Sequence, residues 1–221
     1  MKLVITSICF VLFFFSPPGS SDDLYKKYVI KVAGIKIGHL DWKVGIDNDN
    51  YYNRLNLESS GLLSAIYSFE GEYFSEGLIN NKELQPLKYS HKWKTKKALK
   101  HMRLIFSQNK LVSLEQKPTE KEHLRLNVFN VSGTKDPLSS FLQIILGQNE
   151  SLVLDGRRIY KMNAVYSNEK NSTSINITDY INLWADHKKN KFEKMVFKKN
   201  EDSLLPTEIE IHFDGRVFRL K

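Results

Sequence analysis

Cysteine is nearly absent: the 221 residues hold one, Cys9, inside an apolar run at positions 3–15. Downstream of that run, disulfides, thiolate zinc sites and cysteine nucleophiles are excluded together. Histidine is sparse and scattered. His39, His91, His101, His123, His187 and His212 form no pair at the close spacing that metal sites use, so no metal centre is expected. No Gly-x-Ser-x-Gly elbow occurs, and Ser139-Ser140 fall in the first turn of an expected helix, where serine is commonplace. A glycine-rich phosphate loop between a strand and a helix is also missing, which argues against a nucleotide cofactor. After residue 15 no apolar run is long enough to cross a membrane as a helix. Low-complexity tracts, internal repeats and linkers are lacking too.

The N-terminus does carry a signal. Lys2 precedes the apolar run, and Ser16-Pro17-Pro18-Gly19-Ser20-Ser21 follows it. This is the layout of a secretory signal peptide over residues 1–21, leaving residues 22–221 as one domain and implying export. Cys9 interrupts the apolar run rather than following it, which argues against a lipid-modified cysteine. The formal charge is +8, but the lysines are spread along the chain. The basic stretches at 92–100 and 188–199 sit among alternating apolar residues and read as solvated strand faces and turns. For an exported chain, nucleic acid is not an expected partner.

Most of the chain shows period-two alternation, the mark of half-buried strands. Tyr28, Ile30 and Val32 alternate with Val29, Lys31 and Ala33; Gly34 interrupts, and Ile35, Ile37 and Leu40 continue around Gly38. Residues 47–50, Asp-Asn-Asp-Asn, form a loop before a return strand at 51–57. Residues 61–67 read either as a short helix or as a wide connection. Leu87, Tyr89, His91 and Trp93 make one aromatic face, opposite Lys88, Ser90, Lys92 and Lys94. Met102, Leu104 and Phe106 share a face on the next strand, and Leu124, Leu126 and Val128 alternate later. Tyr160, Met162, Ala164 and Tyr166 recur in the same manner. Asp179 falls on an otherwise apolar face and marks an irregularity.

One stretch is different. At 136–147, DPLSSFLQIILG, Asp136 can cap a helix, Pro137 suits its first position, and Gly147 terminates it. Leu138, Phe141, Leu142 and Ile145 recur at helical spacing, so this helix must bury an apolar stripe against the sheet. Bend glycines and tight turns then favour a mainly β fold: a strongly curved antiparallel sheet, a half barrel or open barrel, wrapped around one short helix. Such a sheet, incompletely filled, leaves an apolar groove. The expected ligand contacts are Tyr89, Trp93, Phe141, Ile145 and Tyr160, with Arg157 for an anionic headgroup; the competing reading makes the aromatics ordinary core and Arg157 a turn residue.

Several ordered pieces carry a family resemblance: YVIKVAGIKIG at 28–38, GLLSAIYSF at 61–69, LKYSHKW at 87–93, DPLSS at 136–140 and DGRRIY at 155–160. Together they resemble the domain-of-unknown-function family 3108 of exported bacterial proteins. The resemblance implies a periplasmic protein whose curved antiparallel sheet surrounds a helix, similar in broad architecture to half-barrel lipoprotein carriers, and it brings no catalytic residues. The expected function is a non-enzymatic periplasmic protein that binds a hydrophobic or amphipathic ligand, lipid-like, for cell-envelope maintenance. The alternative is an interaction module that docks an envelope protein through its sheet edge or basic face. An enzymatic reading would need Glu70 with Glu72, or Glu208 with Glu210, to converge in a cleft.

Overall fold

The structure, a computed structural model, describes residues 23–61, 64, 68–169, 171–184 and 192–221. The signal-peptide reading, Cys9, His187 and most of 61–67 lie outside the described residues. Among the described residues, fourteen strands form one sheet. The first half comprises β1 (Leu24–Val32), β2 (Ile35–Ile46), β3 (Asn50–Ser59), β4 (Phe69–Asn80), β5 (Glu83–Thr95), β6 (Leu99–Ser107) and β7 (Lys110–Lys117). The second comprises β8 (Thr134–Lys135), β9 (Glu150–Leu154), β10 (Arg158–Ser167), β11 (Ser172–Asn182), β12 (Phe192–Lys198), β13 (Glu208–Phe213) and β14 (Arg216–Leu220). Helix α1 (Pro137–Ile145), the one α-helix among the described residues, lies between β8 and β9.

β1–β7 and β9–β14 are antiparallel meanders, β8 pairs β9 in parallel across the helix, and β1 pairs β14 to join the halves, so the spatial order runs β7 to β1 and then β14 to β8. The two edges nearly meet. Lys110 bridges Ser132, and the Gly133 N–H donates to the Asn109 carbonyl at 2.9 Å. The result is a nearly closed barrel. At strand spacings of ~4.8 Å and a tilt of ~40°, fourteen strands would enclose a space roughly 25–30 Å across. Side chains alone do not fill such a width, and the helix supplies the missing layer.

Tight turns set the registers. Ala33-Gly34 and Asp214-Gly215 have φ of 48° and 82°, and 54° and 69°. Consecutive positive φ values match the twist of a two-residue hairpin, and glycine carries the second at no steric cost. Two of the sheet's register shifts change which residues face inward. In β2, Gly38 faces Ile30 but Lys36 faces Lys31, leaving Ile37 unopposed. Ile37 therefore packs on the same core as Leu40, Trp42 and Val44 despite its odd number. In β5, Lys88 faces Glu76 but Pro86 faces Gly77, leaving Leu87 over. Leu87 is consequently exposed while Leu84 and Tyr89 are buried, which corrects the expected Leu87–Trp93 face. Tyr166 is a second correction: it is 61% exposed because β10 runs past the rim before its turn. Leu124, Leu126 and Val128 form no strand; a one-turn 3-10 helix at Val128–Asn130 follows bends there.

The helix occupies one end of the barrel. Asp136 caps it, accepting from the N–H groups of Leu138 (2.9 Å) and Ser139 (3.0 Å). The same carboxylate accepts from the hydroxyls of Ser75 (2.8 Å) and Ser139. Tyr51 is hydrogen-bonded to Ser139 at 2.6 Å, and Asn53 donates from Nδ2 to the Leu138 carbonyl at 3.1 Å. Farther along, Gln143 accepts from the Leu84 N–H at 2.6 Å and donates to the Lys82 carbonyl at 3.0 Å. These contacts run from the middle of β4 to the β4–β5 turn, so the helix points its C-terminus at the barrel end bearing that turn. Leu205 and the Pro206 carbonyl, which accepts from the Tyr28 hydroxyl at 2.6 Å, help to close the same end.

Two buried clusters result. One surrounds the helix, with Phe141 stacked on Trp42 at 5.5 Å between ring centres. The other joins Tyr89, Met102, Leu104 and Phe106 to Leu138, Leu154, Ile159 and Trp184.

Candidate functional site

Among the described residues, no element covers the opposite end of the barrel. That end holds an apolar groove of about 720 Å³, within the range of roughly 300–1,000 Å³ typical of small-molecule sites. The β1–β2 hairpin supplies Ile30, Val32, Ile35 and Ile37; the β13–β14 hairpin supplies Phe213, Arg216 and Phe218. Leu57 on β3, Phe69 on β4 and Trp93 on β5 complete the wall. Phe69 and Trp93 stack at 5.3 Å with ring planes 6° apart. Gly71 permits that approach, because a Cβ there would lie 3.1 Å from the Trp93 ring. The β2 bulge is what turns Ile37 inward, and among the described residues Arg216 is the only charged one in the lining.

Of the residues expected to contact ligand, only Trp93 lies in this groove. Phe141 and Ile145 are buried around Trp42 and Phe197, on the helix that closes the other end. Tyr160 is buried against Tyr180 and Phe192, and Tyr89 belongs to the second cluster. These four side chains are core. The reason is the helix: it fills the space its own apolar face was expected to line. The groove residues missed from sequence share a signal, namely apolar side chains running up to a hairpin turn on both sides, as at Gly34 and Asp214-Gly215.

Arg157 belongs to the β9–β10 turn, whose Asp155 carboxylate accepts from the Arg157 and Arg158 N–H groups at 2.7 and 2.6 Å. The turn packs on β6: a Cβ on Gly156, at φ 85°, would lie 2.6 Å from the Met102 sulfur. Arg157 thus sits near His91 rather than at the groove. Burial, reinforced by the charges of Arg157 and His101, lowers the His91 pKa from 6.5 to about 4. Its Nδ1 is 3.2 Å from the Tyr89 hydroxyl, and its ring lies 5.6 Å from that of Tyr73. An unfolded histidine binds its proton first, so this site stabilises the fold fully above pH 6.5 and progressively less as pH falls toward 4. The loss is up to about 3 kcal/mol. In urea titrations at pH 7 and pH 4, His91→Gln is expected to flatten this acid-side fall.

The carboxylate pairs do not converge. Glu70 and Glu72 face Lys94 and Lys92 at 3.2 and 3.8 Å on the outer wall. Glu208 contacts Lys221 and Lys198, and Glu210 contacts Arg219. Each is a largely solvated cross-strand ion pair, of modest energetic value. Among the described residues no group of three or more potential metal ligands comes together, and no helix is long and apolar enough to cross a membrane.

Among solved structures, the chain is similar to a beta-barrel-like protein of domain of unknown function DUF1849 from Brucella abortus. The match has a TM-score of 0.51 and 12% identity, covering 88% of this chain and 93% of that one. At that identity the likeness speaks for the fold alone. No curated protein matches the sequence. The model of the family described as "Protein of unknown function (DUF3108)" spans residues 27–204, from β1 through the helix to the segment after β12, and the chain belongs to that family.

Proposed function

We propose that the protein is an exported, non-enzymatic binder of a hydrophobic or amphipathic molecule, serving the cell envelope. The observation that carries this reading is the groove at the open end: about 720 Å³, with apolar walls in which, among the described residues, Arg216 is the one charge. The helix and the segment at 199–207 close the other end, so a ligand enters and leaves by one mouth. An acyl chain or comparable apolar body suits the walls, and an anionic head suits Arg216. The signal-peptide layout of residues 1–21 is the basis for export.

Mass spectrometry under native conditions, on protein purified from a bacterial envelope fraction, is expected to detect a bound lipid-like molecule. A fluorescent fatty-acid probe is expected to bind the delipidated protein. Leu57→Glu, which places a carboxylate on the groove wall near the mouth, is expected to weaken the probe by about tenfold or more, or ~1.4 kcal/mol. No co-purified molecule, together with probe binding indifferent to Leu57→Glu, would overturn the reading.

A further inference from the structure

Beyond the groove itself, we infer that the open end of the barrel is a docking surface for an anionic lipid bilayer. The hairpin tips there are apolar and exposed: Ile35 is 59%, Leu99 56% and Phe213 41% exposed. Strand directions place all three at one end, with Ile35 opening β2, Leu99 opening β6 and Phe213 closing β13. Folding alone leaves these side chains in water at the rim of an already apolar mouth, and an interfacial environment would bury them.

The charges of this rim select the partner. Lys31, Lys36, Lys97, Lys100 and Arg216 are exposed there, and among the described residues none of the five is held in an ion pair. Nearby, Glu70 is matched by Lys94 and Glu58 faces His39, while Asp214 is a carboxylate on the β13–β14 tip. Glu120 and Glu122 follow β7, half the sheet away from the β1–β14 seam. Lys31 and Lys36 are direct cross-strand partners. Like charges in that position oppose hairpin formation, so the local fold gives no reason for the pair, whereas a negatively charged surface does. Cations ringing exposed aliphatic and aromatic tips are the combination that seats a protein at an anionic membrane interface.

Docking and groove binding are separable. The fatty-acid probe without vesicles reports the groove alone; flotation with vesicles reports docking alone. The protein is expected to float with vesicles of phosphatidylglycerol mixed into phosphatidylcholine, and not with phosphatidylcholine alone. Lys31→Glu with Lys36→Glu is expected to weaken flotation by at least about tenfold. Lys82→Glu with Lys110→Glu, an equal charge change at the closed end, should stay within about twofold. Ile35→Ser, which alters no charge, should weaken it by about threefold or more. Equal losses in the two charge-reversed doubles would make the effect whole-body electrostatics and overturn the proposal. So would an Ile35→Ser variant that floats like the parent while Lys31→Glu/Lys36→Glu loses soluble polyphosphate equally, because the surface would then be a polyanion patch.

Discussion

Replacing Asp136 by alanine is expected to cost the fold about 3–5 kcal/mol, a large share of a domain's stability. The expectation rests on how many donors converge on one carboxylate. Two are backbone N–H groups at the helix start, and two are the hydroxyls of Ser75 and Ser139. Alanine strands the two N–H donors and leaves the Ser75 and Ser139 hydroxyls only each other and Tyr51 as partners, in a region closed to water. Burial raises the Asp136 pKa, while its hydrogen bonds pull the other way. A raised folded value means that stability falls as pH climbs from the unfolded carboxyl range through the folded pKa. Asp136→Asn keeps an acceptor for the N–H groups and lacks the titration. It should cost only about 1 kcal/mol, with its deficit shrinking as pH rises. Urea denaturation of the three proteins from pH 4 to pH 8 measures both effects. A cost below 1 kcal/mol for alanine would show that the helix is held by its apolar face alone.

Trp42→Ala is the second large effect, expected at about 3–5 kcal/mol. Trp42 is 1% exposed, stacks on Phe141, and donates from its indole nitrogen to Asn53 Oδ1 at 2.7 Å. Its loss opens a cavity between sheet and helix and also leaves Asn53 short of a donor. Trp42→Phe separates the two contributions, restoring most of the volume but not the hydrogen bond, for an expected cost of about 1–3 kcal/mol. A double-mutant cycle with Phe141→Leu should show a coupling of about 0.5–1.5 kcal/mol. Additive costs would mean that sheet and helix pack without direct aromatic contact.

Local chemistry carried the parts of the fold that the sequence made legible. Asp136, Pro137 and Gly147 marked the helix because capping, a missing N–H and a positive φ of 108° at Gly147 are properties of single residues. Asp179 stood out for the same reason: it has φ 54° where the β10–β11 register slips. Alternation placed Met102, Leu104 and Phe106 inward, as observed. What stayed illegible depends on pairing between distant strands. Nothing in Leu87 announces that Pro86 and Lys88 face consecutive residues of β4, yet that one bulge moves Leu87 to the surface. Nor do Phe141 or Tyr160 show by themselves whether an inward side chain meets a void or a helix. The groove was expected around the helix; it lies where the helix is absent.

The seam between β1 and β14 ties the fold together in time as well as in space. Ile30 faces Leu220, and Val29 exchanges backbone hydrogen bonds with Lys221, so two residues far apart in the chain must meet before the two meanders become one wall. Every other neighbouring pair of strands except β8 and β9 is joined locally through a turn or short connection. Until β14 emerges, a growing chain can assemble a seven-strand arm beginning at β1, but the second arm has no sheet to join. Closure of this long-range seam is therefore the slow, topology-limited event, and it completes the groove as well, because β14 brings Arg216 and Phe218 to its wall. The wall of the groove is complete only once β14 has docked on β1.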